Sequence, residues 1–147
     1  MSIQVRDAVA ADEAAWRRLW SGYLTFYNEP LADSITDRTW ARIIDPANPL
    51  FARVAVRDGA IVGFANCVLH EGTWGTTPVC YLEDLYVDAD VRGGGIGSAL
   101  LDDLLRLREE RGWHYLYWVT HLNNHTARRL YDRYVQADNF VRYRIGV

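Results

Sequence analysis

The chain is short of the features that mark several functional classes. Its two cysteines, Cys67 and Cys80, form no C-x-x-C and no zinc spacing, which argues against a redox dithiol and a zinc ribbon. Both stand in apolar, strand-like runs, so buried thiols in a reducing compartment are expected. The first residues, MSIQVRDAVAADEA, contain no hydrophobic stretch of the secretory type. No apolar run reaches the length of a membrane-spanning helix. A cytoplasmic protein without a membrane partner is the expectation. The net charge of −3 lacks the basic excess of a nucleic-acid-binding surface, and no acidic tail accounts for its sign. It suits a cationic substrate. Repeats, low-complexity tracts and Pro/Gly/Ser-rich linkers are missing, so residues 1–147 are expected to form one domain.

What is present is apolar and aromatic. Half of the residues are hydrophobic, with six Trp and nine Tyr adding bulk to a core or a pocket. Ile3 to Arg6 alternates as a short strand. Trp16, Leu19, Trp20, Tyr23 and Tyr27 follow helical spacing over residues 11–27, and Glu29-Pro30 stops that helix. Asp33 or Ser34 is placed to cap a second helix carrying Trp40, Ile43 and Ile44 on its apolar face. Phe51 to Val56 and Ala60 to Leu69 read as strands joined by an Asp58-Gly59 hairpin turn. Cys80 to Val87 is a further strand. A helix follows with Ile96, Ala99, Leu100, Leu104 and Leu107 on one face, and Gly112 ends it. Tyr115 to Val119 reads as a strand, Ala127 to Tyr134 as a helix and Phe140 to Ile145 as a last strand. The expected order is β-α-α-β-β-β-α-β-α-β, a mixed α/β fold in which helices cover a twisted mixed sheet.

The segment from Tyr81 to Leu101, YLEDLYVDADVRGGGIGSALL, passes from strand through a glycine-rich turn into a helix. Such a turn can aim backbone N–H groups at one anion, and the helix N-terminus adds partial positive charge. The known phosphate motifs fail, however. No G-x-x-x-x-G-K-[ST] is present, and Ser98 stands where the third glycine of G-x-G-x-x-G belongs. What remains is R-x-x-G-x-G, formed by Arg92, Gly95 and Gly97. Downstream lies N-x-x-A-x-x-x-Y, formed by Asn124, Ala127 and Tyr131.

Together these two motifs resemble those of the GNAT superfamily of acetyl-CoA-dependent N-acetyltransferases, and the likeness in element order runs through essentially the whole chain. A nearer likeness is to the subgroup related to the fungal histone and polyamine acetyltransferases. It is carried by the Trp-rich first helix with Gly22-Tyr23 and Phe26-Tyr27, the loop from His70 to Trp74, YLEDLYV, and Tyr117 to His121 before Asn123-Asn124. The resemblance implies that the turn from Arg92 through Gly93, Gly94, Gly95, Ile96 and Gly97 to Ser98 holds the pyrophosphate of coenzyme A. It implies that Leu85, Tyr86 and Val87 splay from the neighbouring strand and pair with the pantetheine arm, with one amide stabilising an oxyanion. Asn124 and Ala127 complete the cofactor site, and Tyr131 takes the position of the general acid that protonates the leaving thiolate.

An attacking amine of pKa near 10.4 must lose a proton at neutral pH, so a proton acceptor is needed. Acidic residues inside a strand are unfavourable unless an edge, a partner or a function keeps them. YLEDLYV resembles the strand of spermidine/spermine acetyltransferases that places its Glu at the amine, which makes Glu83 the expected base. Strand alternation puts Glu83 and Asp84 on opposite faces, so only one of them is expected in the cleft. Asp84 is then a structural or substrate-charge residue. With Tyr27, Glu29 and His121 the two carboxylates are the expected substrate residues, suited to a small cationic amine such as a polyamine. His121 and His125 are four apart, but Asn123-Asn124 opens a helix between them and no third ligand stands out, so no metal is expected.

The subgroup implies a homodimer. One departure touches its C-terminal geometry: the Gly-Phe that follows the tyrosine helix in the family is Asn139-Phe140 here. The expected activity is direct acetyl transfer from acetyl-CoA to a primary amine of a polyamine, another small amine or a basic peptide. The rival is a silent acyl-CoA-binding sensor or partner domain.

Overall fold

The computed structural model describes residues 2–146. One five-stranded sheet runs through it in the order β1 (Ile3–Asp7), β2 (Leu50–Arg57), β3 (Ala60–His70), β4 (Val79–Val87) and β5 (Leu116–Tyr117). The first three pairings are antiparallel and β4–β5 is parallel. Helices α1 (Glu13–Phe26) and α2 (Asp33–Ile43) precede β2, α3 (Ile96–Arg111) joins β4 to β5, and α4 (His125–Tyr131) follows. This is the mixed α/β architecture expected. The β2–β3 hairpin turns on Asp58 and Gly59, both at positive φ (53° and 79°), as a tight turn between twisted strands requires.

Two cores hold the sheet. On one face Trp16, Leu19, Trp20, Trp40 and Ile43 of α1 and α2 pack on Ala52, Val54 and Phe64. Trp16 is the hub, with ring centroids 5.4 Å from Trp20 and 5.2 Å from Trp40. On the other face Ile96, Leu100, Leu101, Leu104 and Leu107 of α3 cover Ala55, Ala65, Cys67, Cys80 and Leu82. Both cysteines are buried there as free thiols.

Pairing between β3 and β4 slips in the middle. Asn66 lies opposite Asp84 and Cys67 opposite Leu82, so Glu83 is left as an extra residue in β4. Such a bulge reverses the alternation of side chains along the strand. Before it, Cys80 and Leu82 point into the α3 core; after it, Leu85 and Val87 do. Asp84 and Tyr86 turn toward α1, where Asp84 meets Asn66 and Tyr86 packs against Phe64. β4 and β5 part soon as well, for pairing ends at Tyr81–Tyr117.

The structure corrects the reading at the C-terminus. No strand forms over Phe140 to Ile145: residues 135–146 contain neither helix nor strand, and Phe140, Tyr143 and Ile145 are almost wholly exposed. A period-2 segment needs a partner edge, and β5, reduced from the expected Tyr115–Val119 to two residues, offers too short a one. α4 also stops at Tyr131, leaving Tyr134 in the following turn. There the Tyr134 hydroxyl donates to Asp102 at 2.8 Å and ties that turn to α3. Asp33 is the first residue of α2 rather than its cap.

A buried ion pair links α3 to the sheet. Arg53 makes two hydrogen bonds to Asp103, at 2.8 and 2.9 Å, and a third to Asp7 at 2.8 Å. Removing one partner of a buried pair strands the other charge, at about 3–5 kcal/mol. Asp103→Ala is therefore expected to lower the urea unfolding free energy by about 3 kcal/mol. The double substitution Arg53→Met/Asp103→Leu is expected to recover most of it. An Asp103→Ala loss below about 1 kcal/mol contradicts this role.

Candidate active site

The glycine turn has the form an anion site needs. Gly93 and Gly95 sit at φ of 89° and 78°, a region closed to most side chains, although a Cβ at either would meet nothing. Backbone conformation, not space, therefore demands glycine there. Gly95 is the N-cap of α3 and supplies no side-chain cap, and the first turn of the helix holds no acidic residue. The amides of Ile96, Gly97 and Ser98 thus point out of the helix start without an intrahelical partner. At Gly97 a Cβ would come within 3.0 Å of Leu130, so glycine also lets α4 sit against α3.

The neighbouring residues of the turn are placed differently from one another. Arg92 turns its side chain back: Nε donates to the Val87 carbonyl at 3.1 Å and the guanidinium lies 5.2 Å from the Tyr86 ring. Leu85, Tyr86 and Val87 lie beyond the last β4–β5 pair, so their edge toward β5 is unpaired with that strand. Asn124 caps α4, accepting from the Ala127 amide at 3.3 Å while its Nδ2 donates to Thr120. Half-buried Tyr131 packs on Trp118, and burial, with the nearby Tyr27 hydroxyl, pushes its pKa up to about 12. The phenol holds its proton at neutral pH.

A cleft of about 720 Å³ opens beside these elements, lined by Tyr27, Glu29, Glu83, Asp84 and His121, and by Tyr23, Leu24, Leu31 and Arg144. All five substrate residues expected from sequence thus share one wall system. Tyr131 is not among the lining residues. The expectation that Glu83 and Asp84 face opposite sides of the sheet is wrong. The bulge at Glu83 interrupts the alternation, and both carboxylates reach the same cleft.

Asp84 is the more unusual of the two. Burial raises its pKa to about 6, against the opposing hydrogen bonds from Tyr23 and Asn66, and the charge of Glu83 adds to the rise. The Asn66 contact is fixed from behind. Trp16 Nε1 donates to Asn66 Oδ1 at 3.1 Å, which leaves the Asn66 amide N–H₂ to donate to Asp84 at 3.2 Å. Burial likewise raises the pKa of the Tyr23 hydroxyl, and Asp84 raises it further.

Sequence reasoning passed over Asn66, Tyr23 and Arg144 as site residues. Asn66 had a signal: it is the one polar side chain inside the run Ile61 to Leu69. Arg144 had none, being brought to the cleft only by the path of the C-terminal segment. Among the described residues no group of three or more His, Cys, Asp or Glu side chains is placed to hold a metal ion.

Comparison with known proteins places this geometry. The profile described as "Acetyltransferase (GNAT) family" matches residues 13–135. The D-amino-acid N-acetyltransferase HPA3 of Saccharomyces cerevisiae is 33% identical over 144 residues, covering 97% of this chain and 89% of that protein. An aminoglycoside N(6')-acetyltransferase type 1 of Stenotrophomonas maltophilia is 37% identical over 100 residues, covering 66% of this chain and 61% of that protein. Among solved structures, the ribosomal-protein-alanine N-acetyltransferase of Brucella melitensis biovar Abortus 2308 superposes with a TM-score of 0.84 at 23% identity. It covers 99% of this chain and 100% of that one.

The Asp84 environment has a measurable signature. Carbon-13 NMR of the Asp84 carboxyl is expected to show a midpoint near 6, and one near 4 contradicts the burial argument. An acid that holds its proton more tightly when folded stabilises the fold at low pH. That contribution falls as pH rises from about 4 to about 6 and stays lost above. Relative to Asp84→Asn, the wild-type unfolding free energy is therefore expected to drop by on the order of 2–3 kcal/mol across that interval.

Proposed function

The chain belongs to the GNAT family of acetyltransferases and is an N-acetyltransferase; from this premise we propose that it transfers acetyl directly from acetyl-CoA to the primary amine of a small molecule held in the cleft against β4. The observation that carries the reading is the pair Glu83 and Asp84 on one cleft wall, beside the point where β4 leaves β5. Relatives named for acting on D-amino acids and aminoglycosides support a small-molecule acceptor.

Enzymes of the family use acetyl-CoA, which brings an activated acetyl thioester. The residues present suit it. The turn from Gly93 to Ser98, with the free amides of Ile96, Gly97 and Ser98 at the start of α3, would hold the pyrophosphate, and Arg92 closes the turn from behind by its bond to Val87. The open edge of Leu85, Tyr86 and Val87 would pair with the pantetheine arm, and a backbone N–H of that edge would supply the donor for charge developing on the acetyl oxygen. Asn124 and Ala127 set the start of α4 and so the reach of Tyr131. Holding both reactants in one geometry supplies much of the rate.

The chain's titratable groups move the protons. Tyr27, Glu29, Glu83, Asp84 and His121 surround the amine, and Glu83 accepts its proton and passes it to solvent. Tyr131, protonated at neutral pH, gives a proton to the leaving sulfur. A second assignment has an observation in its favour: a carboxylate with a pKa near 6 is better matched to neutral pH than an ordinary one, which favours Asp84 as first acceptor and Glu83 as relay.

Thiol release with acetyl-CoA and a panel of amines tests the reading. Tyr131→Phe, Glu83→Gln and Asp84→Asn are each expected to lower kcat/KM by about 10²-fold or more, as general acid–base groups do. With Asp84 as first acceptor, an acidic limb of the pH profile near 6 is expected in the wild type and is expected to vanish in Asp84→Asn. Full turnover and unchanged pH profiles in Glu83→Gln and Tyr131→Phe together would overturn the mechanism. Coenzyme A binding without thiol release across the panel would favour a silent acyl-CoA-binding domain.

The homodimer implied by the family resemblance is likewise a proposal, favoured by exposed Phe140, Tyr143 and Ile145. Sedimentation velocity is expected to give twice the chain mass of 16.9 kDa, and a monomer at all accessible concentrations contradicts it.

A further inference from the structure

We infer that the acceptor is an apolar α-amino acid, whose carboxylate is read by Arg144 and whose side chain enters a second cavity beneath α2. This inference rests on the transferase reading above and narrows its substrate.

The cleft is not uniformly acidic. Arg144, from the irregular C-terminal segment, lines the same space as Glu29, Glu83 and Asp84. A polyamine bound by one ammonium would bring its next cation into this space with Arg144, a like-charge meeting. A carboxylate there would instead gain a two-pronged, charge-assisted hydrogen bond from the guanidinium. Opposite charges on one ligand, an ammonium for Glu83 and Asp84 and an anion for Arg144, match the charges of the wall.

The second cavity supplies the rest. It measures about 290 Å³ and lies between α2 and the sheet; Trp20, Leu31, Ile35, Ile43, Leu50 and Phe51 give it an apolar majority, and Thr39, Arg42 and Asn66 add polar groups to its wall. Leu31, Glu83 and Asp84 line both spaces, so the two adjoin at the carboxylates. An amine nitrogen held there borders both the mostly apolar chamber and the space that Arg144 lines. An α-amino acid, with ammonium, carboxylate and side chain on one carbon, carries the three groups that these adjoining spaces would receive.

The chemistry also favours turnover. The amine nitrogen bonds to the acetyl carbon as the carbon–sulfur bond breaks. The bound ammonium loses two protons: one goes to the carboxylates and on to solvent, and the other, shed after attack, balances the one that Tyr131 gives to the thiolate sulfur. The product keeps its carboxylate but has lost its cation. It is then an anion beside Glu29, Glu83 and Asp84, whose charges oppose its retention.

The test measures thiol release from acetyl-CoA with both enantiomers of phenylalanine, phenylalaninamide, alanine and spermidine. In the wild type, kcat/KM for one phenylalanine enantiomer is expected to exceed that for the matching amide, and that for spermidine, by at least about tenfold. Arg144→Gln is expected to bring the acid down to the level of the amide. Arg144 is exposed and in irregular structure, so the variant is expected to fold. Ile35→Trp, which narrows the chamber, is expected to raise KM for phenylalanine more than for alanine. Equal use of acid and amide, preference for spermidine, or equal losses for acid and amide in Arg144→Gln would overturn this inference while leaving the transferase reading standing. No thiol release with any of these amines, or with an aminoglycoside, would overturn both.

Discussion

One extra residue in β4 decides what the cleft contains. With regular pairing, Glu83 and Asp84 would lie on opposite faces of the sheet, one of them driven toward the α3 core. The slip that places Asn66 opposite Asp84 and Cys67 opposite Leu82 leaves Glu83 unopposed. Cys80 and Leu82 before it, and Leu85 and Val87 after it, still serve the same apolar core. The bulge therefore satisfies the hydrophobic demands of both ends of the strand and delivers two carboxylates to one wall. The separation of β4 from β5 after Tyr81–Tyr117 opens the adjoining edge, so acyl carrier and amine meet at the same place.

The aromatic core on the α1 face is part of this arrangement. Trp16, stacked on Trp20 and packed on Trp40 and Phe64, is wholly buried, and its indole N–H has one acceptor, Asn66. That bond fixes the Asn66 amide and aims its donor at Asp84. A rigid apolar cluster thus holds this polar contact in register, and the contact holds the carboxylate. The same desolvation that makes Trp16 stabilising raises the pKa of Asp84, so the packing of α1 and the acid–base character of the cleft are one physical fact seen twice. The glycine turn is a separate device. Its requirement is backbone conformation at Gly93 and Gly95 and unpaired amides at the start of α3, and it depends little on side chains.

Much of this was readable in the sequence, for identifiable reasons. The hairpin at Asp58-Gly59, the glycine turn, the αL stop at Gly112 and the burial of both cysteines are local chemistry, written in a few adjacent residues. Of the cleft residues, Glu83 came from a family likeness that also covers the segments holding Tyr27 and His121, and Glu29 and Asp84 came from the charge a cationic amine needs; all five line one cleft. The shared face of Glu83 and Asp84 was hidden because a bulge depends on the partner strand, and period-2 reasoning assumes none. The missing strand after Phe140 failed for a related reason: β-propensity is local, but a strand exists only where an edge is offered. Arg144 was out of reach because no local pattern says where an irregular segment returns to the fold.

The central claim is that the bulge gathers both carboxylates around the acceptor amine. A crystal structure with coenzyme A and an amine substrate tests it most directly. The account predicts Glu83 unopposed in β3, both carboxylates on the cleft wall, and the amine nitrogen within about 3.2 Å of one of them or of a water it holds. Regular pairing through Glu83, with its side chain across the sheet from Asp84, or an amine bound away from both, would contradict it.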